Sequence, residues 1–112
     1  MKPLRKLYTN SHYPLTLRYL DKDKQPIPLT GYTAELVVRK RLFDGAAITK
    51  SATVTPEEGL IEFVIEPADT EGVLGEDASA TFLIGATMTS PEGNVTTLFQ
   101  STIEIQENIV RP

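Results

Sequence analysis

The stretch Tyr13-Pro-Leu-Thr-Leu-Arg-Tyr-Leu-Asp-Lys-Asp-Lys-Gln-Pro-Ile-Pro-Leu-Thr-Gly-Tyr-Thr-Ala-Glu-Leu-Val-Val-Arg39 has two apolar arms of period two. Leu15, Leu17 and Tyr19 alternate with other side chains along the first arm, and Tyr32, Ala34, Leu36 and Val38 do so along the second. Successive side chains of a strand point to opposite faces, so each arm presents one apolar face and reads as a half-buried strand. Between them, Asp21-Lys-Asp-Lys-Gln-Pro26 has the composition of a charged turn.

The same grammar continues on both sides of this unit. Strands are expected at about 4–9, 13–20, 33–41, 47–54, 60–66, 79–89 and 95–106. Pro56-Glu-Glu-Gly59 and Ser90-Pro-Glu-Gly-Asn94 put proline and glycine where tight turns favour them, and the second joins two long alternating arms. One helical signal interrupts the strands, Glu66-Pro-Ala-Asp-Thr-Glu-Gly-Val-Leu74, in which Pro67 suits a first helical position and Asp69 and Glu71 complement a helix N-terminus. A short turn between two strands can cross from one sheet to another, as a Greek key requires. The expected fold is all-β: an antiparallel β-sandwich of about seven strands with one short helical turn. Alternation proposes its core: Leu15, Leu17, Tyr19, Ala34, Leu36, Val38, Ile61, Phe63, Ile65, Ala80, Phe82, Ile84, Ala86, Met88, Val95, Phe99, Ile103 and Ile105.

With 112 residues, of which 40% are hydrophobic, the chain closes one core, and the expected organisation is a single domain over 1–112 with an N-terminal arm (1–12) and a C-terminal arm (106–112). Cysteine is absent, so neither disulfides nor thiolate metal sites are available. A net charge of −4 opposes phosphate binding, which needs clustered Lys and Arg. Lys2, Arg5 and Lys6 are a local exception, but Leu4, Leu7 and Tyr8 are interleaved with them and no long apolar run follows. Neither a signal peptide nor a membrane span fits this pattern, and neither nucleic acid nor membrane is an expected partner.

Chemistry finds little support in the residue pattern. His12 is the sole histidine and has no cysteine to pair with. Asp21 and Asp23 have the spacing that opens a calcium loop, yet the loop glycine is missing and Tyr32 stands where the bidentate glutamate would fall. Glu57 and Glu58 belong to a turn, and Glu62 and Glu66 lie along one strand without an evident partner carboxylate. Gly72-Val-Leu-Gly75 lacks the lysine of a phosphate loop. No catalytic residue, metal or cofactor is expected.

The outward parity of the strands is more informative. If Ala34, Leu36 and Val38 point inward, then Val37 points out, and the same count turns Leu60, Val64, Leu83 and Leu98 outward among Glu35, Arg39, Glu62 and several threonines. These five apolar residues form a candidate subunit interface. The competing reading is that strands bulge or change sheets and return them to the core.

In order and spacing the chain also resembles the small immunoglobulin-like domain of tailed phages, as at the N-terminus of baseplate upper proteins. The resemblance is carried by the Asp21-x-Asp23 turn, by Pro26-Ile-Pro-Leu-Thr-Gly-Tyr-Thr-Ala34 before a strand ending in Val38-Arg39, by Gly59-Leu-Ile-Glu-Phe63, by Pro67-Ala-Asp-Thr70, by the hairpin at 80–106 and by Ile109-Val-Arg111. It implies an immunoglobulin-like sandwich and a non-enzymatic virion structural protein, made in the host cytoplasm, that binds neighbouring tail, baseplate or fibre-attachment subunits in symmetric copies or as a homo-oligomer. In baseplate upper proteins this domain heads a longer polypeptide, whereas the present sequence stops at Pro112, so a separate small virion protein is expected rather than a fused adaptor. A head-fibre or capsid-decoration protein differs from this only in address. A carbohydrate-binding module is the alternative from another class, although with no Trp the aromatic platform would have to come from Tyr8, Tyr13, Tyr19 and Tyr32.

Overall fold

The structure is a computed structural model and describes residues 4–110; Lys2 and Arg111 lie outside the described residues. Among the described residues eight strands form two sheets: β1 (Leu7–Tyr8), β2 (Tyr13–Arg18), β3 (Thr33–Arg39), β4 (Ile48–Ser51), β5 (Thr53–Thr55), β6 (Leu60–Ile65), β7 (Ser79–Thr89) and β8 (Val95–Gln106). The larger sheet runs in the order β1-β8-β7-β3-β4 and the smaller in the order β2-β6-β5. Lettered in chain order from A, with β4 as the C′ strand, these sheets read A-G-F-C-C′ and B-E-D. That is the immunoglobulin-like distribution of strands, with the first strand paired to the last instead of to the second.

Three features depart from expectation. The segment anticipated as one strand at 47–54 is two, because the chain leaves the large sheet after Ser51 and enters the small one at Thr53. Ala52 is the pivot, its N–H still bonded to the Ala34 carbonyl at 3.0 Å. The sandwich is also not wholly antiparallel: β1 runs parallel to β8, with Leu7 opposite Ile105. Residues 4–12 are therefore not an arm. Leu4 N–H donates to the Thr102 carbonyl, Leu7 is fully buried, and the Asn10 N–H donates to the Thr70 hydroxyl at 2.9 Å. Finally, there are two short 3-10 turns, Pro56–Glu58 and Pro67–Thr70, where one helical turn was expected. The second leads from β6 in the small sheet to β7 in the large one, the Greek-key crossing anticipated for it.

The core lies between the sheets. Ile61, Phe63 and Ile65 of β6 face Leu36 and Val38 of β3, Phe82 and Ile84 of β7, and Ile103 and Ile105 of β8, and all of these are buried. Burying each such side chain contributes about 2 kcal/mol. Leu7, Tyr13, Leu29, Ile48 and Leu74 join this core without having been read from alternation, whereas Leu15, Leu17, Tyr19 and Ala80 only border it. The Tyr13 hydroxyl donates to the Arg5 carbonyl at 2.7 Å and the Arg5 guanidinium lies over its ring at 4.1 Å. Burial raises the Tyr13 pKa, and the Arg5 charge opposes that shift.

A bulge in β8 changes its parity. Ala86 pairs with Phe99 and Thr87 with Thr97, so Leu98 is the extra residue. Downstream, Phe99, Ile103 and Ile105 face inward as expected. Upstream the faces exchange: Val95 is 66% exposed instead of being core, and Leu98 packs against the core.

The small sheet begins with a tight junction. Gly59 has φ +60°, is buried, and follows the Pro56–Glu58 turn; a Cβ there would lie 2.6 Å from the Tyr19 carbonyl oxygen. Only glycine combines that backbone conformation with so close an approach.

Candidate functional site

Two outer faces are available, one per sheet, and the five anticipated interface residues do not share either of them. Val37 and Leu83 lie on the outer face of the large sheet, where Val37 is opposite Gly85 and Leu83 is opposite Arg39. Leu60 and Val64 lie on the other side of the molecule, on β6, opposite Arg18 and Pro14. Leu98 belongs to the core margin because of the bulge. What appeared as one band is thus two separated patches and a core residue.

The large sheet's outer face is the more distinctive. On β3 it shows Thr33, Glu35, Val37 and Arg39; on β7, Thr81, Leu83, Gly85, Thr87 and Thr89; on β8, Thr97, Gln100, Thr102 and Glu104. Of these thirteen, three are charged, Glu35, Arg39 and Glu104, the same share as the 23% of the whole chain, while the centre of the face at Val37, Gly85 and Gln100 is uncharged. Glu104 is paired with Lys6 at 3.7 Å. Gly85 has no side chain to fill the sheet centre, so a trough of about 470 Å³ opens there, lined by Val37, Leu42, Leu83, Thr87 and Gln100. A second hollow of about 440 Å³ lies further along β3, bordered by Tyr32, Thr33, Ser51 and Thr89.

Beside the trough, the β3–β4 loop carries Leu42 and Phe43 into solvent, and Phe43 is 95% exposed. The loop is held from below: the Arg39 guanidinium donates to the Asp44 carbonyl at 2.9 Å, and Lys40 pairs with Asp77 at 3.4 Å. Alternation missed this tip because it belongs to no strand. The usable signal was an adjacent Leu and Phe, followed by Asp-Gly, inside a run that must turn.

One ion cluster ties the two sheets together. Lys50 on β4 lies 3.0 Å from Asp69 and 3.7 Å from Glu66, at the crossover leaving β6. The Glu66 N–H donates to the Asp69 carboxylate at 2.7 Å. The hydrogen bond to Asp69 raises the Lys50 pKa. Burial is the largest influence on Asp69 and pushes its pKa up, but the Glu66 N–H and the Lys50 ammonium together outweigh it and leave the pKa below the usual carboxylate value.

The residues considered for chemistry are dispersed or otherwise engaged. His12 is exposed. Asp21 accepts hydrogen bonds from the N–H groups of Asp23 and Gln25 at 2.8 and 3.0 Å, which builds the charged turn from its own carboxylate. Among the described residues no three His, Asp or Glu side chains gather as a metal site would need. The arrangement can do the work of contact: a dished sheet with an uncharged centre, an apolar loop tip and a small second face. No protein-family model and no curated protein matches the chain.

Proposed function

We propose that this protein is a non-enzymatic structural component of a tailed-phage particle, binding neighbouring tail, baseplate or fibre-attachment subunits. The observation that carries the reading is apolar surface on more than one side of a single sandwich. Phe43 tips the β3–β4 loop beside the large sheet, Val95 belongs to that sheet and Val64 to the small one, and Ile109, 96% exposed, and Val110 follow the last strand. Contiguous apolar surface, as at Leu42-Phe43 and Ile109-Val110, marks contact sites, and separate patches suit a subunit with several neighbours. The phage assignment itself rests on the resemblance of Pro26–Ala34, Gly59–Phe63 and the 80–106 hairpin to the tailed-phage domain.

The carbohydrate alternative is disfavoured by the aromatics. Tyr13 is buried and Tyr19 and Tyr32 are half-buried, which leaves Tyr8 as the exposed tyrosine. A sugar platform needs several aromatic faces open to solvent. Immunogold labelling of particles induced from the source strain tests the proposal: label at the tail or baseplate is expected, label over the capsid would select the decoration role, and unlabelled particles would end the reading.

A further inference from the structure

We propose that the outer face of the five-stranded sheet is the interface of a homodimer, in which a two-fold axis crossing β3 at Val37 sets Glu35 of each copy against Arg39 of the other. The inference goes beyond the particle reading and does not depend on it.

The charge order along β3 is the starting point. Glu35, Val37 and Arg39 are successive outward residues, negative, apolar and positive. Outward residues two apart are about 6.7 Å apart along a strand, so the two charges stand about 13 Å apart with Val37 midway. A two-fold axis lying between two such faces, perpendicular to β3, reverses the strand direction. It carries Arg39 onto Glu35 twice per dimer and leaves Val37 against its own copy. A two-fold interface must be self-complementary in this way. Among the described residues Glu35 has no ion-pair partner within its own chain, so the contact would not have to displace one.

The neighbouring strands obey the same symmetry. Gly85 pairs with Val37, and Gln100 pairs with Gly85, so all three lie level with the axis. The Gln100 amides of the two copies then meet with a donor and an acceptor each. Leu83, level with Arg39, faces Thr87 of the second copy, level with Glu35. The loop tip beyond Arg39 is carried past Glu35 of the second copy, toward the hollow bordered by Tyr32, Ser51 and Thr89. The exposed Phe43 side chain and a place to receive it thus lie at symmetry-related ends of one face.

β3, β7 and β8 share about seven residues of length, whereas β4 has four residues and β1 two. At about 4.8 Å spacing the three long strands make a face of about 14 by 23 Å. With β4 and the loop tip added, this stays below the ~800 Å² per partner of a standard interface, as in weak, reversible dimers. At the level of the axis Val37, Gly85 and Gln100 are uncharged. Charge depletion at the centre is the compositional mark of such surfaces.

Sedimentation velocity of the whole chain at about 50 μM, above the μM dissociation constants at the weak end for interfaces of this size, should show a dimer. Arg39→Glu and Glu35→Arg each place like charges in contact twice, and each should weaken the dimer at least about 30-fold and yield monomer. The double variant Glu35→Arg/Arg39→Glu restores opposite charges across the axis and should dimerise again. Both positions border solvent, and circular dichroism of each variant is the control that its fold is kept. A monomeric wild type, a dimer indifferent to either single change, or a double variant that stays monomeric would overturn the proposal.

Discussion

The two sheets share one core but differ in what they turn outward. The small sheet is regular: β6 alternates buried and exposed without interruption, and its outer face carries Arg18 and Glu62 beside Pro14 and Val64. The large sheet is bulged at Leu98 and hollowed at Gly85, with Glu35 and Arg39 flanking an uncharged centre. Regular alternation suits a sheet that covers a core without reshaping its outer face. Bulges and mid-strand glycines belong where a surface must be shaped, since each gives up local pairing or packing to re-aim its neighbours.

The comparison breaks first if the two inner faces are unequal. Phe63→Ala in β6 and Phe82→Ala in β7 should each cost about 3–5 kcal/mol by chemical denaturation, since both rings are almost wholly buried. A much smaller loss at Phe82 would mean that the large sheet tolerates a void and the core belongs mainly to the small one. Next comes the bulge. Leu98→Ala should cost about 1–2 kcal/mol and Val95→Ala less than about 0.5 kcal/mol, the reverse of what simple alternation requires. Equal losses would place the bulge elsewhere.

The smallest effect concerns the tie between the sheets. Asp69→Ala removes the acceptor for both Lys50 and the Glu66 N–H and should cost about 1 kcal/mol at neutral pH. Because the Asp69 pKa is lower in the folded protein than its ordinary 3.8, the unfolded chain binds the proton more readily. Its contribution is therefore complete above about pH 4 and fades as pH falls through the folded value. The raised Lys50 pKa works at the other end, its contribution being complete below 10.5 and fading as pH rises through the folded value. In thermal melts the gap between wild type and Asp69→Ala should close toward low pH; a constant gap would assign the loss to the turn alone.

Most strand positions were legible because alternation needs only neighbouring residues. β2, β3, β6, β7 and β8 begin and end within two residues of expectation. What escaped depends on distant residues. Ser51, Ala52 and Thr53 carry no sign of a change of sheet, since small residues fit either face. The bulge at Leu98 is defined against β7, so β8 alone cannot announce it. The parallel partner of Leu7 lies near the other end of the sequence. For the interaction surface, parity correctly turned Val37 and Leu83 outward together, but it could not separate them from Leu60 and Val64, because parity says which way a side chain points and not which sheet it leaves.

The parallel pairing of Leu7 with Ile105 also bears on biosynthesis. β1 has no seat until Ile105 has been synthesised, so during translation Leu7 stays unburied while the edge of β8 is not yet made. Local hairpins such as β7–β8 form early, and this closure forms last. On crowded polysomes neighbouring copies could lend each other the missing edge.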